Sequence, residues 1–227
     1  MKEKNYRTTI RKKIMKRTLS LLLCIAVCLI VWGQKAIGTS TRTTLYETYQ
    51  PAKITLTGGK VIFQKQANIF LKDASLLFKN GKQDMKANMA QIQEVEFSDG
   101  RYVCIESKLA AIVDTIGENK ILCTTTIDLE AYQKMAINDR VVSNLSLGGD
   151  QVSMSSISLT DESDMEYPLI NSFYFEVEGK IFKAHERVIY RRLPKEKRDR
   201  LKFYMEMPDF DWGDKTSLRQ VLMLFEK

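Results

Sequence analysis

Histidine is all but missing from this chain: His185 is the only one among 227 residues. Its scarcity excludes a histidine-rich zinc site, because His185-Glu186 lacks the second histidine one helical turn later that such a motif needs. Any Ser-His-Asp or Cys-His arrangement would have to use this one residue, and no Gly-x-Ser-x-Gly elbow supplies a serine for it. His185, beside Glu186, reads instead as a surface residue at a helix start. Gly58-Gly59 and Gly148-Gly149 are not followed by Lys-Ser or Lys-Thr, so they read as hairpin turns and not as phosphate loops. The acidic run Asp209-Phe210-Asp211-Trp212-Gly213-Asp214 approaches a calcium loop, yet its glycine comes one place too early and Gln220 stands where a bidentate glutamate is required. A capped turn over two aromatic rings is the better account. These absences leave no catalytic residue, no metal site and no cofactor to assign.

Long apolar runs are absent too. The only extended one, Leu19 to Trp32, is 14 residues, short of the roughly 20 needed to span a bilayer as a helix. It follows Lys2, Lys4, Arg7, Arg11, Lys12, Lys13, Lys16 and Arg17, with Glu3 the only acid, so the first 33 residues carry the whole net charge of +7. The remaining 27 bases and 27 acids cancel, and the charge balance therefore gives no reason to expect nucleic acid. Basic start, apolar core and small residue together read as a signal peptide over 1–33, cut between Gly33 and Gln34. Met15 offers an alternative start, and an uncut signal anchor is the alternative fate. No lipid-attachment box precedes Cys24 or Cys28, and both thiols leave with the signal. The mature form then has no spanning helix, and its localisation is the periplasm or cell surface. In that oxidising setting Cys104 and Cys123 are the only pair available for a disulfide, with two buried free thiols as the alternative.

Turn chemistry organises the rest of the chain. Residues 34–44 are small and polar and read as a flexible leader. Alternating segments flank Gly58-Gly59, Asp73-Ala74, Asn80-Gly81, Asp99-Gly100, Gly117-Glu118-Asn119, Gly148-Gly149-Asp150 and Glu178-Gly179, which predicts a succession of hairpins. Asp128 caps a short predicted helix from Leu129 to about Ile137. Leu193-Pro194 separates a helix near His185 to Arg192 from one near Lys195 to Glu206. Asp214 caps a last helix whose Leu218, Val221, Leu222 and Phe225 form an apolar stripe. The fold class expected is α+β: an antiparallel β-rich body, a small barrel or sandwich of short hairpins, with C-terminal helices packed on it. Residues 45–227 would form a single domain with a helical segment from about 185, a split into two β lobes near 128–140 being left open.

Tyr174 to Lys183, the run Leu193-Pro194-Lys195-Glu196-Lys197-Arg198, and Phe210-Asp211-Trp212 leading to Ser217-Leu218 give the last third a recognisable order. In this it resembles a type of uncharacterised exported β-rich protein of Gram-negative bacteria, which implies export and architecture but brings no activity. Asp114-Thr115-Ile116 is similar to a three-residue O-glycosylation sequence of exported proteins, with a turn residue and apolar filler as the plainer reading.

One local charge imbalance remains: nine bases against three acids between Lys183 and Lys202, while Asp161 to Glu178 holds six acids and no base, of which Asp161, Glu162 and Asp164 would on the plainer reading neutralise the basic stretch across the fold. No aromatic ladder interleaves the bases as a single-strand nucleic-acid surface would require. The predicted helix from Lys195 supplies its own counter-charges, so the surplus falls on Arg187, Arg191 and Arg192. These three are the expected contacts for an acidic glycan, a lipid headgroup or an envelope protein. A non-catalytic exported envelope protein with a binding or structural role is the leading expectation. A hydrolase of envelope or dietary polymer using scattered carboxylates is the first alternative, and a small outer-membrane β-barrel the second.

Overall fold

The computed structural model describes residues 38–138 and 166–226. Among them eleven strands join in one antiparallel sheet: β1 (Thr39–Ser40), β2 (Gln50–Leu56), β3 (Val61–Phe70), β4 (Ser75–Asn80), β5 (Gln83–Lys86), β6 (Ile92–Phe97), β7 (Gly100–Ile105), β8 (Lys108–Ile116), β9 (Asn119–Ile127), β10 (Tyr167–Val177) and β11 (Lys180–Lys183). The described residues also form four α-helices, α1 (Leu129–Asn138), α2 (Glu186–Arg192), α3 (Lys195–Met205) and α4 (Lys215–Met223), and one 3-10 turn at Met89–Gln91. The class is α+β, with the helices of the C-terminal part packed against the β body. The strands expected on either side of Gly148-Gly149-Asp150 lie outside the described residues.

The hairpins form where turn residues allow a positive φ. Glu178 and Gly179, at 50° and 74°, turn β10 into β11, the geometry a two-residue hairpin needs. Strand order is β1-β10-β9-β8-β7-β6-β2-β3-β4-β5, with β11 beside β10. The chain thus runs outward from β2 to β5, returns along β2's other side as β6, and meanders to β10. β9 and β10 pair from Ile127↔Leu169 to Lys120↔Glu176, so the chain on both sides of the undescribed segment belongs to the same sheet.

That sheet curls. The turn between β3 and β4 touches distant strands through its backbone: Leu109 donates to Ala74 O at 2.8 Å and Ile127 to Leu71 O at 2.7 Å. Leu71 itself donates to Thr43 O at 2.8 Å. Part of the segment expected as a flexible leader is therefore ordered: Thr39–Ser40 pair with Tyr167 and Pro168, and Thr44 bridges to Phe70. The cause is the open edge of β10, where Leu169 N–H bonds to Gly38 O at 2.7 Å and would otherwise lack a partner.

Two main cores result. Ile54, Ala67, Ile69, Leu76, Val95 and Phe97 fill the hollow of β2 to β6. Ile121, Phe175, Phe182, Ile189, Leu201 and Leu218 unite β9 to β11 with α2, α3 and α4. The expected stripe docks as its period demands, Leu218, Val221 and Leu222 being buried. Asp214 caps α4 by accepting from Ser217 N at 2.8 Å.

Candidate functional site

The α2–α3 elbow forms because Pro194 cannot continue α2 but can precede α3. Leu193, buried, anchors the elbow in the second core. Against this corner lies the β10–β11 hairpin, and between them opens a pocket of about 340 Å³. Phe182, Phe225, Val177 and Leu224 supply its apolar lining, while Arg192, Lys180 and Lys197 bring positive charge. Arg192 stacks its guanidinium 4.2 Å from the centre of the Phe182 ring, a cation–π contact that fixes the fork in place. Phe182 in turn meets Phe225 at 5.9 Å and Phe175 at 6.2 Å between centroids. The last turn closes the pocket: Lys197 donates to Glu226 O at 2.6 Å, and Asn119 donates to the Glu226 carboxylate at 3.0 Å. Glu178 and Glu226 also line it, so the site is mixed in charge with a surplus of cations.

Of the three arginines expected to act together, only Arg192 lines this pocket. Arg187 and Arg191 are exposed and lie one turn apart on α2, a face turned by about 100° from Arg192 at 3.6 residues per turn. Lys180 and Lys197 are its partners instead. Lys197 lies within the basic run, but nothing local to the sequence reveals that Lys180 approaches it across a hairpin. Asp161, Glu162 and Asp164, the acids expected to neutralise the arginines on the plainer reading, lie outside the described residues, as do Gly33 and Gln34.

Cys104 and Cys123 are free thiols, and the disulfide weighed for them does not form. The reason is register: Cys104 pairs with Leu109 on β8, whereas Cys123 pairs with Ala111 on the other side of the same strand. One intervening strand sets their Cα atoms about 10 Å or more apart, beyond the limit of about 7 Å for a bridge. Burial pushes the Cys123 thiol up to about 11 and also raises Cys104.

The other sequence candidates resolve into structure. His185 is the exposed residue before α2 and makes no side-chain capping bond. In the acidic turn, Asp211 accepts from Gly213 N at 2.6 Å, and Phe210 meets Trp212 edge-on at 5.2 Å. Glu94 and Glu96 are engaged by Arg101 and Lys53 at 2.8 and 3.1 Å. Asp114 receives Arg219 of α4 on both carboxylate oxygens at 2.7 Å. Buried side-chain polarity concentrates at Tyr46, whose hydroxyl donates to Asp99 at 2.8 Å and lies 3.0 Å from the Tyr102 hydroxyl. Burial and these bonds hold the Tyr46 phenol protonated, far above its ordinary range. This cluster ties the N-terminal segment to the β6–β7 turn, and no nucleophile stands in it.

Among the described residues no group of three or more His, Cys, Asp and Glu side chains is placed to hold a metal ion, and no helix is long and apolar enough to cross a membrane. No protein-family model, curated protein or solved structure matches this chain.

Proposed function

We propose that this is a non-catalytic binding protein of the cell envelope, whose elbow pocket takes an acidic group carried on an apolar or sugar surface. The observation that carries the reading is the Arg192 guanidinium held 4.2 Å over the centre of the Phe182 ring, with Lys180 and Lys197 around the same hollow. A pre-positioned guanidinium offers a planar fork to carboxylate or phosphate, and the phenylalanine floor suits whatever bears that anion. Export is supported by the basic start and 14-residue apolar run of the first 33 residues.

The test is retention of the purified full chain on immobilised polygalacturonate and on phosphatidylglycerol vesicles. Replacement of Arg192 and Lys180 together by glutamine should reduce retention severalfold at low salt. The unaltered chain should lose retention as ionic strength rises, because these side chains sit at an open, screened surface. Equal retention of the double variant on both supports overturns the assignment.

A further inference from the structure

β3 is the longest strand of the first half, yet β4 covers only its far end, from Ala67↔Phe78 to Phe70↔Ser75. The pairing of β2 with β3 shifts register between Gln50 and Ala52, opposite Ala67 and Gln64. At this bulge β3 bends, and the β4–β5 hairpin leaves its line. Among the described residues Val61 to Gln64 consequently pair on one side only, with β2, and Lys65 and Gln66 fall in the bulge.

The phase of the hairpin shows which groups face outward. Leu56 N donates to Lys60 O at 2.9 Å, so Lys60 points its backbone at β2. Antiparallel alternation then turns Ile62 and Gln64 toward β2, and aims the N–H and C=O of Val61 and Phe63 at the open edge. Such a row is a template for another strand.

Side chains on both faces fit that use. Ile62 and Gln64 line a groove of about 340 Å³ whose other walls include Ile54, Leu56, Leu76 and Phe78. On the opposite face Phe63, with Pro51, Ala52 and the stem of Lys53, borders a second hollow of about 320 Å³. Val61, Ile62 and Phe63 are 43%, 39% and 76% exposed. From Thr57 to Gln66 the edge carries Lys60 and Lys65 and no acid.

We propose that this edge of β3 is a strand-addition site for an extended segment of a partner protein, with carboxylates opposite Lys60 and Lys65 and apolar side chains entering the groove between them. Backbone hydrogen bonds supply affinity and the two hollows select alternate side chains. The lysines favour an acidic partner over a second copy of this chain, whose own edge would bring the same positive charge.

The probe is the acetylated, amidated hexapeptide Glu-Val-Thr-Val-Thr-Glu, added to the full-length protein. Paired antiparallel, its glutamates meet Lys65 and Lys60 and its valines enter the groove. It should slow hydrogen exchange at the amides of Val61 and Phe63, and its binding should weaken with salt. The same peptide N-methylated at both threonines should bind about tenfold more weakly or worse, having lost two backbone donors. Phe63→Pro should do likewise while leaving the far-UV circular dichroism intact, because the N–H it removes faces away from β2. Equal binding of the methylated peptide, or no protection at millimolar peptide, overturns the proposal. So does protection of these amides in the free protein: if it is constant with dilution the chain covers its own edge, and if it fades with dilution a second copy is the occupant.

Discussion

Asn68 shows how much one side chain contributes where the backbone has no regular partner. It is 1% exposed, and its carboxamide takes the place of a strand. The oxygen accepts from Tyr46 N at 3.0 Å and the nitrogen donates to Tyr46 O at 2.9 Å. In the sequence it reads as an ordinary strand residue, because the segment it serves lies 22 positions away. Asn68→Leu would leave the Tyr46 N–H buried and unpaired, at about 1 to 3 kcal/mol, while the Tyr46 carbonyl would keep only the Thr44 hydroxyl that donates to it at 3.0 Å. A clear fall in the urea midpoint is expected, and an unchanged midpoint would show that water replaces the amide. The cysteines mislead for a related reason: their segments, and the strand from Leu109 between them, are recognisable, but which strands lie side by side is decided by pairing, and β8 separates the two thiols. With its thiol pushed up to about 11, Cys123 is ionised in only about one molecule in a thousand at pH 8. Iodoacetamide should leave it unlabelled in the native protein and modify it in denaturant, as read by mass spectrometry of intact chains.

At the scale of elements, the sequence makes legible whatever local chemistry decides. Glu178-Gly179 and Asn80-Gly81 mark turns because few residues accept a positive φ, and both Gly179 and Gly81 adopt one. Asp214 and the Leu-Pro break mark helix ends for equally local reasons. By contrast β5, Gln83–Lys86, is exposed at every position and shows no alternation that could reveal it. Its existence rests on pairing with β4, from Leu77↔Lys86 to Asn80↔Gln83. The elbow pocket is invisible in the sequence likewise, since its walls come from a hairpin, two helices and the chain end. Within α4 the stripe is both legible and consequential. Leu222 is fully buried, so Leu222→Ala should cost about 2 to 5 kcal/mol, and Asp214→Ala about 1 kcal/mol through the lost cap. Denaturant titration checks both. A Leu222→Ala midpoint equal to that of the parent protein would mean that α4 is not docked on β8 and β9.

For the whole molecule, the question is what holds the helical layer to the sheet besides apolar packing. Arg219 of α4 grips Asp114 of β8 across 105 positions of sequence, the most distant ion pair among those described. The grip has a sign that acid titration can read. Hydrogen bonding to Arg219 holds the Asp114 carboxyl below its ordinary range, against the opposing effect of burial. Asp73 behaves similarly: burial is the largest single influence and pushes it up, but its bonds to Lys86 of β5 and to Ser75 together outweigh this and its net shift is downward. In the unfolded chain both carboxyls return to about 3.9. Between the two conditions the unfolded state binds more protons, so stability rises with pH through the acid range and is fully present above that value. It is lost as pH falls through the lower, folded values. Arg219 is partly exposed, its side chain at 43%, so solvent and salt screen the pair and blunt this slope. Asp114→Asn should therefore lower the urea midpoint at neutral pH and flatten its dependence on pH between about 2 and 5. The difference from the parent should shrink in high salt. An identical pH slope in the variant would mean that α4 is held by its buried stripe alone.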